Sequence, residues 1–211
     1  MFVRSIMKNK FQSVTASLQD PVGEALDTLL KHDFQAMPVL DGNEYVGMIS
    51  QERIYEGYFH GIRPKEEYLS DVSLKDLVTR DELYVTEDDV FEKTLPLFKG
   101  FPILAVTNSE RGFLGVVSRY DVIEQFESAF GAHRRGVRIA FTSEESEGRI
   151  ARLSDILKHY HENVISLATF DETKKLARRI VLKLEPSPNI DKIAKRLEKA
   201  GFRVLDIKED V

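Results

Sequence analysis

A repeated strand, serine and helix pattern constrains the fold of this chain more than any other feature. Gly47-Met48-Ile49-Ser50 recurs 68 residues later as Gly115-Val116-Val117-Ser118. In both copies a short apolar run, as expected of a buried strand, leads directly into an amphipathic helical pattern. The sequence therefore predicts two copies of one structural unit, and such units bury their apolar faces by packing against each other.

The second copy continues to Asp121, which puts a hydroxyl and a carboxylate in the first turn of the predicted helix. Side-chain oxygens and free backbone N–H groups converge at this end of a helix. Two interpretations remain open. Ser-x-x-Asp before an apolar run is a capping box of a kind common in proteins without ligands, and the same helix end also favours an anionic ligand.

These residues carry a resemblance to a known family. The pattern Gly-h-h-Ser-x-x-Asp, where h is apolar, follows an apolar strand with a proline in each copy, Ala36–Leu40 and Phe101–Val106. It resembles the paired CBS domains of a Bateman module, over about residues 1 to 130. The resemblance implies two repeats, residues 1–70 and 71–132, that pack as a pseudo-twofold pair. In that family the hydroxyl and the aspartate bind the ribose of an adenine nucleotide, and a carboxylate can accept hydrogen bonds from both ribose hydroxyls.

The resemblance also implies which residues form the nucleotide site. Ser118 and Asp121 would bind the ribose, Arg119 would reach a phosphate, and the base would lie against the first repeat. The other members of this predicted site are Val116, Gln12, Val14, Phe34, Gln35 and Ala36. The alternative interpretation makes Phe34 a core residue and Arg119 a solvated one. We expect AMP, ADP, ATP or cyclic di-AMP as a regulatory ligand, with no cofactor required.

A second, weaker pocket is expected at the equivalent place in the first repeat. There Arg53 replaces the aspartate, which reverses the charge at the ribose position. The predicted pocket consists of Ser50, Arg53, Tyr84, Val85 and Lys99. Either Arg53 pairs with a phosphate or it closes the pocket through an internal ion pair, and we expect an empty pocket.

The pattern changes after the two glycines Gly131 and Gly136. From residue 136 to 211 the apolar periodicity predicts the order βαββαβ, the split βαβ arrangement. With Gly148 opening its first helix, this part resembles an ACT domain, a ferredoxin-like fold whose members often bind amino acids between two copies. The resemblance implies Gly148 and Asn163 as candidate effector residues. Glu144, Glu145 and Glu147 oppose an incoming carboxylate, so we expect dimerisation or signal transmission instead.

The predicted fold class is therefore α+β, a CBS pair followed by an ACT-like domain. This order resembles bacterial CBS-ACT regulators of the acetoin-utilisation type. We expect a ligand-sensing regulatory protein that forms a homodimer and acts on an unidentified protein partner. The alternatives are an amino-acid sensor, a purely dimerising module and a non-catalytic subunit of an enzyme. The candidate dimer contacts are Ile54, Tyr58, Phe126 and Phe130, on the helices that follow each serine.

Local patterns predict several further elements. Residues 1–10 are expected to form a brief helix and His60–Asp71 a polar linker. Asp20-Pro21 starts a helix whose apolar face includes Leu30. The first helix of the second repeat, around Val90 to Phe98, contains Pro96 and should be irregular.

Charge and composition limit the classes of function that we expect for this chain. Residues 1–132 carry 13 Lys and Arg against 22 Asp and Glu, a net −9, whereas residues 133–211 carry 17 against 13, a net +4. An acidic first part disfavours binding to nucleic acid. No cysteine occurs, and no apolar run reaches the ~18 residues of a membrane span. The five histidines are scattered, so we expect no metal site, no catalysis and a cytoplasmic protein.

Overall fold

The computed structural model describes residues 1–98, 100–144, 146–172 and 177–210. Contacts divide the chain into two compact units, Met1–Ile123 and Glu124–Val211, and both mix helices with strands, which confirms the α+β class. The helices are α1 (Val22–Lys31), α2 (Gln51–Phe59), α3 (Lys65–Asp71), α4 (Thr94–Leu97), α5 (Arg119–Ala129), α6 (Arg149–His159) and α7 (Ile190–Lys199). The strands are β1 (Lys8–Asn9), β2 (Ala16–Ser17), β3 (Ala36–Asp41), β4 (Glu44–Ser50), β5 (Tyr84–Thr86), β6 (Ile103–Thr107), β7 (Phe113–Ser118), β8 (Gly136–Glu144), β9 (Val164–Glu172), β10 (Ala177–Leu184) and β11 (Arg203–Asp210).

The first unit contains two small sheets, one for each repeat. The first has the order β2-β3-β4 and the second the order β1-β7-β6-β5. Each sheet is built on a hairpin. The turn of the first contains Gly42 at φ +62°, a left-handed conformation that favours glycine. In the second, the Asn108 side chain accepts hydrogen bonds from the backbone N–H groups of Glu110 and Gly112, at 3.0 and 2.7 Å.

The two repeats are related by a pseudo-twofold arrangement, as predicted. The backbone N–H of Tyr45 donates to the carbonyl of Arg111 at 3.0 Å, and that of Phe113 donates to the carbonyl of Asn43 at 2.8 Å. The two bonds are equivalent to each other, because the 68-residue repeat relates Tyr45 to Phe113 and Asn43 to Arg111. The Tyr45 and Phe113 side chains are buried in one cluster, which forms a shared core between the two sheets.

The segment that leads into each repeat packs on the sheet of the other repeat. Strand β1 pairs with β7 through Lys8 and Val116, and Thr79 forms the equivalent bridge to Met48 of β4. This crossing explains the glycine in each copy of the motif. A Cβ at Gly115 would overlap the carbonyl oxygen of Lys8, so only glycine admits the crossing chain there.

The second unit is a four-stranded antiparallel sheet with the order β11-β8-β10-β9. Its elements follow the predicted βαββαβ order, which is the ferredoxin-like arrangement. Helices α6 and α7 bury Leu153, Ile193 and Leu197 in the core of this unit. Ile180 and Leu182 of β10 belong to the same core, so the alternate residues of that strand lie on the face of the sheet opposite α6 and α7.

Three local predictions are wrong and one is confirmed in part. Residues 1–10, expected to form a brief helix, contain a 3-10 helix of three residues, Val3–Ser5, followed by strand β1. The expected linker contains α3, because Tyr68 is buried and its hydroxyl donates to the carbonyl of Ile54 at 2.8 Å. Leu30, expected on the buried face of α1, is 52% exposed, while Ile54, expected at a dimer surface, is 1% exposed and belongs to the core.

The irregular helix in the second repeat is confirmed. A 3-10 turn at Phe91–Lys93 precedes α4, which contains Pro96 and spans four residues. Within the described ranges, no helix has the length and apolar character needed to span a membrane.

Candidate functional site

The first unit contains an open cleft of about 610 Å³ at the junction of β1, β3 and the start of α5. Eight of the nine residues predicted for the nucleotide site line this cleft. They are Gln12, Val14, Phe34, Gln35, Ala36, Val116, Ser118 and Arg119. The folding of the two repeats therefore brings the leading segment and first sheet strand of one repeat beside the helix start of the other.

The ninth residue, Asp121, forms a reciprocal capping box with Ser118. The Asp121 carboxylate accepts hydrogen bonds from the backbone N–H and the hydroxyl of Ser118, at 2.7 and 2.6 Å. In return, Ser118 Oγ accepts a bond from the Asp121 N–H at 3.2 Å. These bonds use Oδ2, and Oδ1 faces Lys8. Capping and ligand binding are therefore compatible in this geometry, because the carboxylate has a second oxygen.

Lys8 is a cleft residue that the sequence pattern did not reveal. Its ammonium lies 3.7 Å from Asp121 Oδ1, and the two side chains are 59% and 13% exposed. Lys8 reaches the cleft only because β1 crosses to the sheet of the second repeat. The glycine at position 115 was the sequence signal for that crossing. Ser13, Asp33, Pro102, Ile103 and Tyr120 also line the cleft and were not predicted.

The face of the cleft formed by the first repeat is aromatic and apolar. Phe34 is 41% exposed, so it is not a core residue, and it stacks on His32 with ring centroids 5.5 Å apart. The Gln51 side chain donates to the Phe34 carbonyl at 2.8 Å and fixes the backbone there. Ala36 and Val116 are buried beneath this face. A planar ring in the cleft would meet a stacking surface above an apolar floor.

Arg119 supplies a fixed positive charge at the cleft. Its guanidinium donates to the backbone carbonyls of Phe98 and Phe101, at 2.8 and 3.4 Å. Both bonds use one terminal nitrogen, and a guanidinium carries five donors in total. The charged residues that line the cleft are Lys8 and Arg119 against Asp33. The cleft therefore offers cations near the helix start without a large excess of positive charge.

At the equivalent position in the first repeat, Ser50 and Arg53 make local contacts. Ser50 Oγ accepts from the Arg53 N–H at 3.1 Å, which caps α2. The Arg53 guanidinium forms an ion pair with Glu56 at 2.9 Å and donates to the Leu77 carbonyl at 3.4 Å. Arg53 thus makes the internal ion pair that was one of the two sequence alternatives.

The second-repeat members of this weaker pocket are packed against core residues. Val85 is 1% exposed. The Tyr84 ring contacts the Tyr45 ring, and the Arg111 guanidinium carbon lies 5.0 Å from the centroid of the Tyr84 ring. Burial raises the pKa of the Tyr45 hydroxyl, which donates to two backbone carbonyls. Lys99 lies outside the described residues.

The two candidate effector residues of the second unit lie at opposite ends of its sheet. Gly148 follows the end of β8, caps α6 with φ +78°, and lines a cavity of about 230 Å³. Asn163 precedes Val164, the first residue of β9. Leu184 of β10 pairs with Val164 on one side and with Val137, near the beginning of β8, on the other. One chain does not bring them together, so a site using both would need two copies. Glu144 and Glu147 are exposed near Gly148, and Glu145 lies outside the described residues.

A metal site was not expected. In the described part of the chain, no group of three or more His, Asp or Glu side chains is arranged to hold a metal ion.

Comparison with solved structures identifies similar folds. The protein CbpB of Listeria monocytogenes in complex with c-di-AMP is 25% identical, with a TM-score of 0.53, over 59% of this chain and 94% of that chain. A CBS domain pair/ACT domain protein from Thermotoga maritima is 21% identical, with a TM-score of 0.50, over 60% and 96%. CBSX2 in complex with AMP is 22% identical, with a TM-score of 0.51, over 59% and 95%.

A comparison with curated proteins found no match. The family model for the CBS domain matches residues 3–59 and 74–128. Those two segments correspond to the two repeats and make up more than half of the chain. The protein therefore belongs to the CBS domain family.

Proposed function

We propose that this protein is a regulatory sensor that binds an adenine nucleotide in the cleft of its CBS pair. The observation that carries the proposal is the cleft of about 610 Å³, which unites eight of the nine residues selected from the sequence. Its volume falls in the range of ligand pockets. The candidate ligands are AMP, ADP, ATP and cyclic di-AMP.

Each part of an adenine nucleotide has a counterpart in this cleft or, for the ribose, at Asp121 beside it. The base stacks on Phe34, whose ring is 41% exposed above an apolar floor. The ribose hydroxyls donate to Asp121 Oδ1, the carboxylate oxygen that the capping bonds leave available. The phosphate lies at the start of α5, where Arg119 and Lys8 supply positive charge and the helix dipole favours an anion.

Two of the similar structures contain ligands of this class. CbpB was crystallised with c-di-AMP and CBSX2 with AMP. Their likeness supports an adenine nucleotide as the ligand class. The balance of Lys8 and Arg119 against Asp33 favours a ligand of low charge, so we propose AMP before ATP.

We further propose a non-catalytic role in which the C-terminal unit transmits the ligand state to a protein partner. Helix α5 supports this proposal, because it begins directly after Ser118 and continues to Ala129, which belongs to the second unit. The protein acts as a homodimer in this proposal. The resemblance to acetoin-utilisation regulators, and the location in the cytoplasm, remain predictions.

Calorimetric titration of the full chain with AMP tests the proposal. Phe34→Ala removes the stacking face and should weaken AMP binding about ten-fold, since stacking on an aromatic ring contributes about 1–3 kcal/mol. Phe59→Ala is the matched control, because Phe59 is 84% exposed on α2 and does not line the cleft. Equal affinity of the two variants for AMP, or no binding to the unmodified chain, would refute the proposed site.

A further inference from the structure

A separate cavity, of about 340 Å³, lies on the face of the C-terminal sheet opposite α6 and α7. It is formed entirely by residues of the second unit and is separate from the nucleotide cleft. Its lining consists of Phe130, Ala132, Arg138, Ser166, Phe170, Arg179, Val181 and Lys183. Helices α6 and α7 pack on the other face of this sheet, so the cavity is not part of the core.

Strand register explains the polar wall of this cavity. Arg138, Lys183 and Ser166 are directly paired across β8, β10 and β9, and therefore point to the same face. Lys183 is only 3% exposed and Ser166 only 8%. The Lys183 ammonium donates to the Gly131 carbonyl at 2.8 Å, which fixes it at the cavity edge. These three paired residues therefore form a polar side of the cavity, and two of them, Lys183 and Ser166, are buried.

The floor and the aromatic wall follow from neighbouring positions. Val181 is paired with Ala140 and Ala168, and these small side chains leave a shallow depression in the middle of the sheet. Phe170 and Phe130 are 46% and 40% exposed, and their rings are parallel within 8° with centroids 6.4 Å apart. They form an aromatic wall beside the shallow floor.

The charges of the lining residues all have the same sign. Arg138, Arg179 and Lys183 contribute three cations, and none of the described residues that line the cavity is a carboxylate. The carboxylate of Asp206 lies 3.9 Å from Arg138, outside the lining, and the two side chains of that pair are 56% and 39% exposed. The nucleotide cleft, by contrast, includes Asp33. A parallel aromatic surface beside cations suits a planar ligand that carries a negative group.

We propose that this cavity is a binding site for a small aromatic anion, such as an aromatic carboxylate. The ring of the ligand stacks on the aromatic wall at Phe170, and its carboxylate accepts hydrogen bonds from Arg138. The site is independent of the CBS cleft and gives the C-terminal unit a ligand of its own.

Titration of the full chain with 2-naphthoate, followed by ligand-observed NMR and calorimetry, tests the proposal. The neutral analogue 2-naphthamide is the matched probe, since it has the same rings without the charge. We expect 2-naphthoate to bind one site per chain and 2-naphthamide to bind about ten-fold more weakly. Arg138→Gln and Phe170→Leu should each weaken 2-naphthoate binding about five-fold or more, while circular dichroism shows an unchanged fold.

The controls separate this site from the other surfaces. Arg152→Gln, on the helical face, and Asp121→Ala, in the nucleotide cleft, should leave 2-naphthoate affinity unchanged. Arg138→Gln and Phe170→Leu should in turn leave AMP affinity unchanged, so failure of the nucleotide site and failure of this site are distinguishable. Equal binding of the two probes, absence of binding, or loss of 2-naphthoate binding in Asp121→Ala would overturn the proposal. Ultracentrifugation that shows Phe170→Leu dissociating a dimer, with 2-naphthoate affinity unaltered, would assign the face to a second copy instead.

Discussion

Replacement of Asp121 by alanine separates its role as a helix cap from its role as a ribose ligand. The Asp121 carboxylate accepts bonds of 2.7 and 2.6 Å from Ser118, and its side chain is 13% exposed. Loss of an N-terminal cap costs about 1 kcal/mol of folding free energy. Hydrogen bonds to a charged group contribute about 1.5–3 kcal/mol. We therefore expect AMP affinity to fall by on the order of 2 kcal/mol, about 30-fold in Kd, with the fold retained.

Calorimetry with AMP and denaturant unfolding give the two quantities separately. Asp121→Asn keeps an oxygen for the capping bond but removes the charge, so it should preserve most of the stability and lose much of the AMP affinity. Glu124→Ala is the control, because Glu124 is exposed and lies less than one turn further along α5. If Asp121→Ala lowers the free energy of unfolding while AMP affinity is unchanged, Asp121 is only a cap and the ribose assignment is wrong.

Three further predictions follow from individual contacts. Gly115→Ala should lower the melting temperature and weaken AMP binding, because the added Cβ would displace β1. Gly100→Ala is the control, since a Cβ at Gly100 would meet open space. Equal melting temperatures of the two variants would contradict the crossing-strand explanation. Arg53→Asp should raise the AMP stoichiometry measured by calorimetry, since it supplies the missing carboxylate and removes the Arg53–Glu56 ion pair. An unchanged stoichiometry would show that the carboxylate is not sufficient for binding at the first repeat. Asp89 is partly desolvated, which raises its pKa, but hydrogen bonds from the Thr86 N–H and from Lys93 outweigh this and lower the pKa overall. Its stabilising effect is present above the unfolded pKa of about 4 and is lost as pH falls through the lowered pKa of the folded state. Asp89→Asn should therefore destabilise the protein in denaturant unfolding at pH 7, and the effect should decrease as pH falls below about 4; an effect independent of pH would exclude the charge as the cause.

The repeat and the order of elements could be predicted because they depend on local patterns. The 68-residue spacing identified the two motif copies, and apolar periodicity located the strands and helices of the C-terminal unit. Proline at position 96 correctly indicated an irregular helix, since it has no backbone N–H to donate. The site residues near Ser118 followed from the same motif, through the resemblance to the CBS family.

The errors arose where tertiary contacts override local pattern. Tyr68 lies in a polar stretch, yet its burial and its bond to Ile54 create α3. Ile54 lies on the apolar face of a helical pattern. Such a pattern does not indicate whether the face packs in the core of one molecule or against a second molecule. Lys8 was missed because the leading strand crosses to the other repeat, a long-range pairing that periodicity cannot reveal. The aromatic and cationic cavity of the second unit likewise depends on register between β8, β10 and β9.

The central claim is that the CBS cleft binds an adenine nucleotide. Native mass spectrometry of the full chain with AMP, ADP, ATP and cyclic di-AMP tests it most directly, with GMP as the control for base selectivity. We expect one specific adenine-nucleotide adduct per chain. The adduct should be most abundant with AMP and much less abundant with GMP. The absence of an adduct with every adenine nucleotide at millimolar concentration, or equal adducts with AMP and GMP, would contradict it.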